Sequence, residues 1–318
     1  IDRYTMILSA NSSAWNLFRV DKVCQGESVY CLDRAEDFRH AIEQVLSGEH
    51  AELILKLNGS DIQLIANPVV RGQKTEGAVI LLVNVTEKLE RENLRREFSA
   101  NVSHELKTPL TSISGYAEIM MNGLVKSEDM QGFSERIYKE ASRMITLVGD
   151  IIKLSKLDEG SVELEKENVD LYQMTREIVS RLALQAEKRR IQVEVVGEHV
   201  ECFGIRQILD EMIYNICENA IKYNKENGKV NIWVGNTLNG KKVIVQDTGI
   251  GIPKEHQDRI FERFYRVDKS RSRENGGTGL GLSMVHFIVA VHGGQIHVES
   301  KNGEGTSFIF QFPKESIK

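Results

Sequence analysis

The chain has 318 residues, a formal net charge of −5 and 27% charged residues. This length is enough for two or three domains that each bury a core. The mild acidic excess disfavours a surface built to hold nucleic acid, so we expect no nucleic-acid partner. Four cysteines without CxxC spacing exclude a disulfide framework or a zinc ribbon and fit a reducing compartment.

Membrane-spanning segments are not predicted. No apolar run reaches the roughly 20 residues that cross a bilayer, and the first residues lack a signal-peptide pattern. Because the first residue is Ile1 rather than Met, we expect a fragment of a longer protein, with any membrane anchor outside it.

Residues 1–86 have the pattern of a small α/β domain. An amphipathic segment predicts a helix over Asp37–Leu46, and apolar runs bounded by turn residues predict three strands after it. The expected strands cover residues 51–57, 61–70 and 77–85, with breaks at Asn58-Gly59, Arg71-Gly72 and Gly77. Residues 87–98 are charge-dense and free of Gly and Pro, which predicts a connecting helix rather than a flexible tether.

Residues 99–160 predict two amphipathic helices separated at Asn122-Gly123. Apolar residues recur in near-heptad steps along each of them. They are Phe98, Val102, Leu106, Leu110, Ile113, Ala117 and Met120, then Ile137, Met144, Leu147, Ile151 and Leu154. A single antiparallel hairpin leaves such a stripe half covered, so we expect two copies to pair into a four-helix bundle, and hence a homodimer.

His104 is predicted on the solvent side of the first helix, opposite its apolar stripe. For this position taken alone, an ordinary exposed histidine is the favoured interpretation. Neutral imidazole is nevertheless a good nitrogen nucleophile, and the adjacent Glu105 could accept its ring proton. Thr108 lies on the same face one turn later, and Pro109 predicts a local kink because it removes a backbone donor.

Residues 161–318 return to mixed α/β patterning. Predicted helices cover Leu171–Lys188, Ile205–Tyr223 and Leu282–Val291, and predicted strands cover Ile191–Val196, Val230–Val234, Val243–Gln246, Ile296–Ser300 and Ser307–Phe312. Strands and helices do not alternate regularly, so an α+β sandwich is expected rather than a doubly wound sheet. Residues 235–242 resemble a P-loop, but Lys242 occupies the Ser/Thr position, which favours a hairpin turn at Asn239-Gly240.

One face of the helix ending at Tyr223 carries Asn215, Asn219 and Lys222, three or four residues apart. Amide oxygens can ligate Mg²⁺, which also shares phosphate oxygens, and a lysine can neutralise phosphate charge. A plain polar helix face is the alternative for this segment taken alone.

Two glycine-rich segments complete a candidate nucleotide pocket. In the first, residues 247–251, the Asp247 carboxylate can accept a hydrogen bond from an adenine amino group. The second, residues 277–281, precedes an apolar helix whose free N–H groups would receive phosphate. The segment between them predicts a mobile basic lid over the phosphates. Its basic residues are Arg263, Arg266, Lys269, Arg271 and Arg273.

In this order the segments resemble the sensor histidine kinases of two-component signalling, over roughly residues 87–313. The matching boxes are residues 103–110 for the phosphoacceptor, 215–223 for the asparagine box, 247–251 and 277–281 for the glycine boxes, 261–264 for the phenylalanine box, and Gly303 to Thr306. Residues 1–86 resemble a truncated PAS sensor domain more weakly. That family often has Asp-Ile-Thr before the connecting helix, where this chain has Asn84-Val85-Thr86.

The resemblance implies a multidomain protein. Its parts would be a PAS-like sensor domain (1–86), a linker helix (87–98), a dimerisation and phosphoacceptor domain (99–160), and a catalytic ATP-binding domain (161–318) of the gyrase and Hsp90 type. His104 would take phosphate from ATP and pass it to an aspartate of a response regulator. Dephosphorylation of that regulator is also implied, as is a cytoplasmic location in a membrane-anchored bacterial sensor.

The resemblance also assigns residues. His104, Glu105 and Thr108 would be catalytic, with ATP and Mg²⁺ as cofactors and Asn215 and Asn219 as metal ligands. The expected nucleotide contacts are Asn215, Asn219, Lys222, Tyr223, Asp247, Gly249, Gly251, Arg266, Gly277, Thr278, Gly279, Leu280 and Gly281.

Two other functions fit parts of the sequence. One is an ATPase driven by lid closure without a kinase role, and the other is a non-enzymatic dimeric sensor. Phosphate transfer within one subunit or between two depends on the handedness of the loop at residues 122–132, and both remain open. His40 and His50 are predicted to be surface histidines without a metal.

Overall fold

The computed structural model describes residues 1–19, 24–158, 165–268 and 277–314. It divides into two compact units, Ile1–Ala100 and Asn101–Lys318. Within the described ranges, none of the helices is both long enough and apolar enough to cross a membrane. The predicted domain boundary at residue 160 and the predicted lid residues Lys269, Arg271 and Arg273 lie outside the described residues.

The first unit is built on a three-stranded antiparallel sheet. Its elements are α1 (Ser12–Leu17), a 3₁₀ turn (Val29–Cys31), α2 (Glu36–Leu46), β1 (Ala51–Leu57), β2 (Ser60–Arg71) and β3 (Lys74–Asn84). The strands lie in the order β1-β2-β3. Helix α2 contacts all three strands. Its Phe38, Ile42 and Val45 are buried in the same core as Leu64 and Ala66 of β2.

The predicted helix and strands of this unit are confirmed, with a correction at Gly77. This glycine was expected to break a strand, but it lies inside β3 opposite Val69, beside a register shift between Val69 and Val70. A Cβ at Gly77 would lie 2.3 Å from the Ile1 carbonyl oxygen. The glycine therefore permits close approach of the N-terminal backbone, a second common reason for glycine within a strand.

Helix α3 (Thr86–Met121) runs 36 residues without a break. The predicted linker helix and the first hairpin helix are therefore one element. At its start the Asn84 side-chain oxygen accepts hydrogen bonds from the Thr86 backbone N–H at 3.0 Å and hydroxyl at 2.7 Å. The side-chain amide of Asn84, at the position where the family often has an aspartate, therefore supplies the oxygen that accepts both hydrogen bonds. Beyond the helix Gly123 has a φ of +69°, as the predicted break requires.

The second unit continues with α4 (Met130–Asp158) and an α/β layer pair. The other helices are α5 (Leu171–Lys188), α6 (Arg206–Lys222), α7 (Lys254–Gln257) and α8 (Gly281–Val291). The strands are β4 (Glu167–Asp170), β5 (Gln192–Gly197), β6 (Glu201–Gly204), β7 (Lys229–Thr237), β8 (Gly240–Asp247), β9 (Gln295–Lys301) and β10 (Gly305–Phe312). The main sheet has the order β5-β7-β8-β10-β9, and β4 pairs separately with β6.

This sheet confirms the predicted α+β sandwich. Only β5 and β7 pair in parallel, and the other neighbours are antiparallel. Alternate residues of β7 and β10, such as Ile232 and Phe310, are buried in the core shared with α5, α6 and α8. The P-loop resemblance proves to be a hairpin, since Thr237 pairs with Gly240. The short β4–β6 pair was not predicted.

The α3–α4 hairpin leaves much of its apolar surface exposed. Leu147 and Leu154 are buried, but Leu110 on the predicted stripe of α3 is 53% exposed. On α4, Tyr138 and Ile145 are each 74% exposed and Ile152 is 50% exposed, at steps of seven residues. A single chain therefore leaves an apolar seam uncovered on this hairpin.

Candidate active site

The first glycine-rich segment is anchored by the Asp247 carboxylate at the end of β8. Its Oδ1 accepts hydrogen bonds from the backbone N–H of Gly249 at 2.8 Å and of Thr306 at 3.2 Å. Burial raises the pKa of Asp247, while these two N–H donors oppose that rise. The backbone donors fix the carboxylate at the edge of the sheet, where it can present its remaining acceptor capacity to a ligand.

The asparagine box lies against both glycine segments. Asn215, Asn219 and Lys222 are partly buried on α6. The Ile250 N–H donates to the Tyr223 carbonyl at 3.1 Å, which connects the end of α6 to the first segment. A Cβ on Gly281 would stand 3.2 Å from Asn215 Oδ1, so the second segment also approaches this helix closely. The structure therefore brings together three predicted parts of the pocket.

The second glycine segment contacts the phenylalanine box. Gly279 has a φ of +77°, and a Cβ there would lie 2.8 Å from the Phe264 carbonyl carbon. The Phe264 N–H donates to the Gly279 carbonyl at 2.9 Å. Leu280, the next residue, is buried and precedes α8. Backbone conformation and steric contact both demand glycine at position 279.

His104 is exposed on α3, as predicted from the helical period. Thr108 and Thr111 are exposed on the same helix. The Thr108 hydroxyl donates to the His104 carbonyl at 3.2 Å, and the Thr111 hydroxyl donates to the Lys107 carbonyl at 2.9 Å. Both threonines therefore occupy equivalent local settings one turn apart.

The neighbouring Glu105 is held by two arginines. Its Oε2 accepts from Arg266 Nη2 at 2.9 Å and from Arg143 Nη2 at 3.3 Å. The Arg266 side chain is only 5% exposed and donates to the Thr278 carbonyl as well. In this arrangement Arg266 lies buried against the hairpin, and its predicted place on a mobile lid over the phosphates stays a prediction. Its Nε is buried and has no acceptor among the described residues.

Two further contacts join α4 to the α/β sandwich of residues 165–314. Thr278 Oγ1 donates to Asp150 Oδ2 at 2.7 Å, and Lys153 Nζ contacts both carboxylate oxygens of Glu211 at 2.8 and 2.9 Å. Burial raises the pKa of Asp150, and the Thr278 hydrogen bond partly counters it. Burial also lowers the pKa of Lys222, because it destabilises the charged ammonium, and an anion bound beside it would offset that effect.

Arg143 and Asp150 are the site residues that sequence reasoning missed. Both share a face of α4 with the buried Leu147 and Leu154. Charged residues on an otherwise apolar stripe were an available signal, because such groups need a partner when buried. Their partners lie far along the chain, and helical periodicity contains no information about them.

Family comparisons agree with this geometry. The protein family described as "Histidine kinase-, DNA gyrase B-, and HSP90-like ATPase" matches residues 204–316. The domain family described as "His Kinase A (phospho-acceptor) domain" matches residues 94–160. The fold and site thus combine an ATPase-type nucleotide-binding domain with a phosphoacceptor helical hairpin.

Curated relatives of this chain are named as sensor protein kinases. The chain is 40% identical to the sensor protein kinase WalK of Staphylococcus haemolyticus over 248 residues, covering 76% of this chain and 40% of that protein. It is 39% identical to WalK of Staphylococcus saprophyticus over 304 residues, covering 93% and 48%. The chain therefore spans about half the length of these relatives.

Among solved structures, histidine kinase ThkA in complex with response regulator protein TrrA matches at 27% identity with a TM-score of 0.56, over 99% of this chain and 94% of that one. Histidine kinase AdeS of Acinetobacter baumannii matches with a TM-score of 0.55 at 21% identity, covering 67% of this chain and 98% of that one, a similarity of fold. This chain belongs to the sensor histidine kinases of two-component systems.

Proposed function

We propose that this chain is an ATP-dependent protein histidine kinase that phosphorylates His104 and passes the phosphoryl group to a response regulator. The observation that carries the proposal is the convergence of Asp247, the asparagine face of α6 and the second glycine segment in the same fold as an exposed His104. The relatives named sensor protein kinase support the same activity.

In the proposed reaction a ring nitrogen of His104 attacks the γ-phosphorus of ATP and ADP leaves. The ring proton must pass to a base, and Glu105 is the adjacent candidate. In the second step a regulator carboxylate attacks the phosphorus, the P–N bond breaks, and the leaving ring takes up a proton to regenerate neutral imidazole. Exposure of His104 supports both steps, because each needs an approaching partner.

The ATP pocket would use the predicted contacts in distinct roles. Asp247 would accept a hydrogen bond from the adenine amino group, and the α8 start, Gly281, would direct backbone N–H groups toward phosphate. Asn215 and Asn219 lie one turn apart on α6, and their amide oxygens fit the preference of Mg²⁺ for hard oxygen ligands. When bound, the metal would neutralise charge on the phosphates. Lys222 would add a positive charge nearby.

The contacts of Glu105 indicate which arrangement the molecule occupies. Arg266 and Arg143 form ion pairs with the Glu105 carboxylate, which would otherwise be available to accept the ring proton of His104. The buried Arg266 Nε lacks an acceptor among the described residues, so this docking leaves the guanidinium incompletely satisfied. We infer that the nucleotide-binding domain moves away from Glu105 before phosphate transfer, which frees Arg266 for the phosphates.

Two macromolecular partners are proposed. The uncovered apolar seam of α4, formed by Tyr138, Ile145 and Ile152, supports pairing with a second copy of the chain. The similarity to ThkA, solved with a response regulator, supports a regulator as the phosphate acceptor. The proposed domain division remains 1–86, 87–98, 99–160 and 161–318. The PAS assignment of residues 1–86 and a cytoplasmic location stay predictions.

The decisive experiment incubates the purified chain with Mg²⁺ and γ-labelled ATP and maps the label. Acid-labile label on wild type, its loss in His104→Gln and its retention in His40→Gln are expected. His40 is a matched control because it is also an exposed helical histidine. ATP hydrolysis without protein labelling would instead indicate an ATPase. Equal labelling of His104→Gln would refute the phosphoacceptor assignment.

A further inference from the structure

The first unit contains two thiols and a carboxylate that converge on one another. The Sγ atoms of Cys24 and Cys31 and a carboxylate oxygen of Glu27 all lie within 4.8 Å of one another. Cys24 is 8% exposed, whereas Glu27 and Cys31 are exposed. The cluster therefore has a buried anchor and an open side through which an ion could enter.

Two consecutive turns create this convergence. The Glu27 N–H donates to the Cys24 carbonyl at 3.0 Å, across Gly26. Gly26 has a φ of +82°, a conformation that favours glycine. The Cys31 N–H then donates to the Ser28 carbonyl at 2.9 Å and closes a 3₁₀ turn. The turns place residues 24, 27 and 31 on the same side of the loop, although the sequence lacks CxxC spacing.

The loop is also fixed to the N-terminal segment. Gly26 N–H donates to the Ile7 carbonyl and Ile7 N–H donates to the Glu27 carbonyl, each at 2.9 Å. Val29 N–H donates to the Thr5 carbonyl at 2.8 Å. Since the backbone positions are set by these bonds, the three side chains need little reorganisation to meet a common ligand.

We propose that Cys24, Glu27 and Cys31 form a binding site for a thiophilic divalent cation, with Zn²⁺ as the best match. Neighbouring ligand atoms around tetrahedral zinc lie about 3.5–3.8 Å apart, so small side-chain rotations suffice from the observed separations. Two sulfur ligands favour Zn²⁺ over Mg²⁺ or Ca²⁺, which prefer oxygen. The open side leaves the fourth position to water. Binding exchanges two thiol protons, released to buffer, for one ion.

The site is tested on the full chain, reduced and freed of metal, with Co²⁺ as a spectroscopic probe and Zn²⁺ as competitor. We expect one equivalent of Co²⁺ to produce a sulfur-to-cobalt absorption band that Zn²⁺ abolishes. Cys31→Ser should lose this band, and the exposed position of Cys31 makes this variant safe for folding. Cys202→Ala, which removes a cysteine of the second unit, should retain it.

Glu27 is tested separately. Glu27→Gln should keep the sulfur band but weaken Zn²⁺ affinity at least about tenfold, since a direct ligand should matter no less than an outer-shell partner. Glu49→Gln, another exposed glutamate of the first unit, should leave affinity unchanged. Absence of the band in wild type, its persistence in Cys31→Ser, or a Cys24–Cys31 disulfide in the reduced preparation would overturn the proposal.

Discussion

The nucleotide-binding fold and the α3–α4 hairpin bury their apolar residues in different ways. The fold collects side chains from α5, α6, α8 and its sheet into one core, where Met174, Leu209 and Ile232 are fully buried. The hairpin fully covers few of its apolar residues and leaves Ile145 and Tyr138 largely exposed. One region thus has its own core, while the other has a surface that needs a partner.

The first prediction tests the hydrophobic core that α5, α6, α8 and the main sheet form within one chain. Leu209→Ala should lower the free energy of unfolding of the nucleotide-binding fold by about 2–5 kcal/mol, because Leu209 is 0% exposed and truncation leaves a cavity. Leu184→Ala on α5 is the matched control, and its 61% exposure predicts a change within about 0.5 kcal/mol. Urea unfolding followed by circular dichroism measures both. Equal losses would show that the core is poorly formed.

The second prediction concerns chemistry that belongs to the hairpin alone. Thr108→Ala should retain autophosphorylation and lose regulator dephosphorylation by about a hundredfold, because the hydroxyl next to His104 would position the attacking water. Thr111→Ala removes a threonine with an equivalent internal hydrogen bond and should affect neither activity. Rates are measured with purified phosphorylated regulator. Joint loss of both activities in Thr108→Ala would indicate a structural role instead.

The third prediction tests the partner-dependent surface. Ile145→Asp should weaken dimerisation at least about tenfold, because a charge would enter the seam between two hairpins. Leu184→Asp places the same charge on a comparably exposed apolar residue of α5 and should leave dimerisation unchanged. Sedimentation equilibrium measures the association constant. Identical constants for the two variants would place the dimer interface elsewhere.

The same contrast explains what could be predicted from the sequence. Helix α5 was predicted with its observed bounds, and the exposure of His104 followed from helical period, because both depend on local spacing. The interior position of Gly77 depends on an approach by Ile1, 76 residues away in sequence, and the Asp150–Thr278 bond joins still more distant segments. The convergence of Cys24 with Cys31 depends on two turns that no spacing rule describes.

The arrangement of the nucleotide pocket was only partly predictable for a related reason. A glycine-rich segment predicts backbone conformations or close contacts that other residues do not permit. Gly279 shows both, because its φ is positive and it packs closely against the Phe264 backbone. The burial of Arg266 depends instead on which domain surface docks on Glu105, a choice made by tertiary charge pairing rather than by local sequence. The sequence therefore named Arg266 as a candidate but contained no information about its contact with Glu105.

The last and smallest effect concerns the stability of the nucleotide-binding fold against pH. His292 Nε2 accepts from the Ile205 N–H at 3.1 Å, at the start of α6, while its Nδ1 lies 2.8 Å from the Ile288 carbonyl oxygen and donates to it. Burial lowers the pKa of His292 below its ordinary value of about 6.5, the charge of Lys166 lowers it further, and the Ile288 hydrogen bond acts in the opposite direction. The folded chain therefore holds this imidazole neutral where the unfolded chain takes up a proton. The stabilisation is complete above the unfolded pKa and is lost as the pH falls through about 6.5 toward the folded pKa.

His292→Gln removes the titration, so the stability difference between wild type and this variant should shrink as the pH is lowered from about 7 to about 5. Parallel curves for wild type and His292→Gln would mean that the ring already accepts a proton in the folded state and that the Ile205 hydrogen bond does not hold the start of α6.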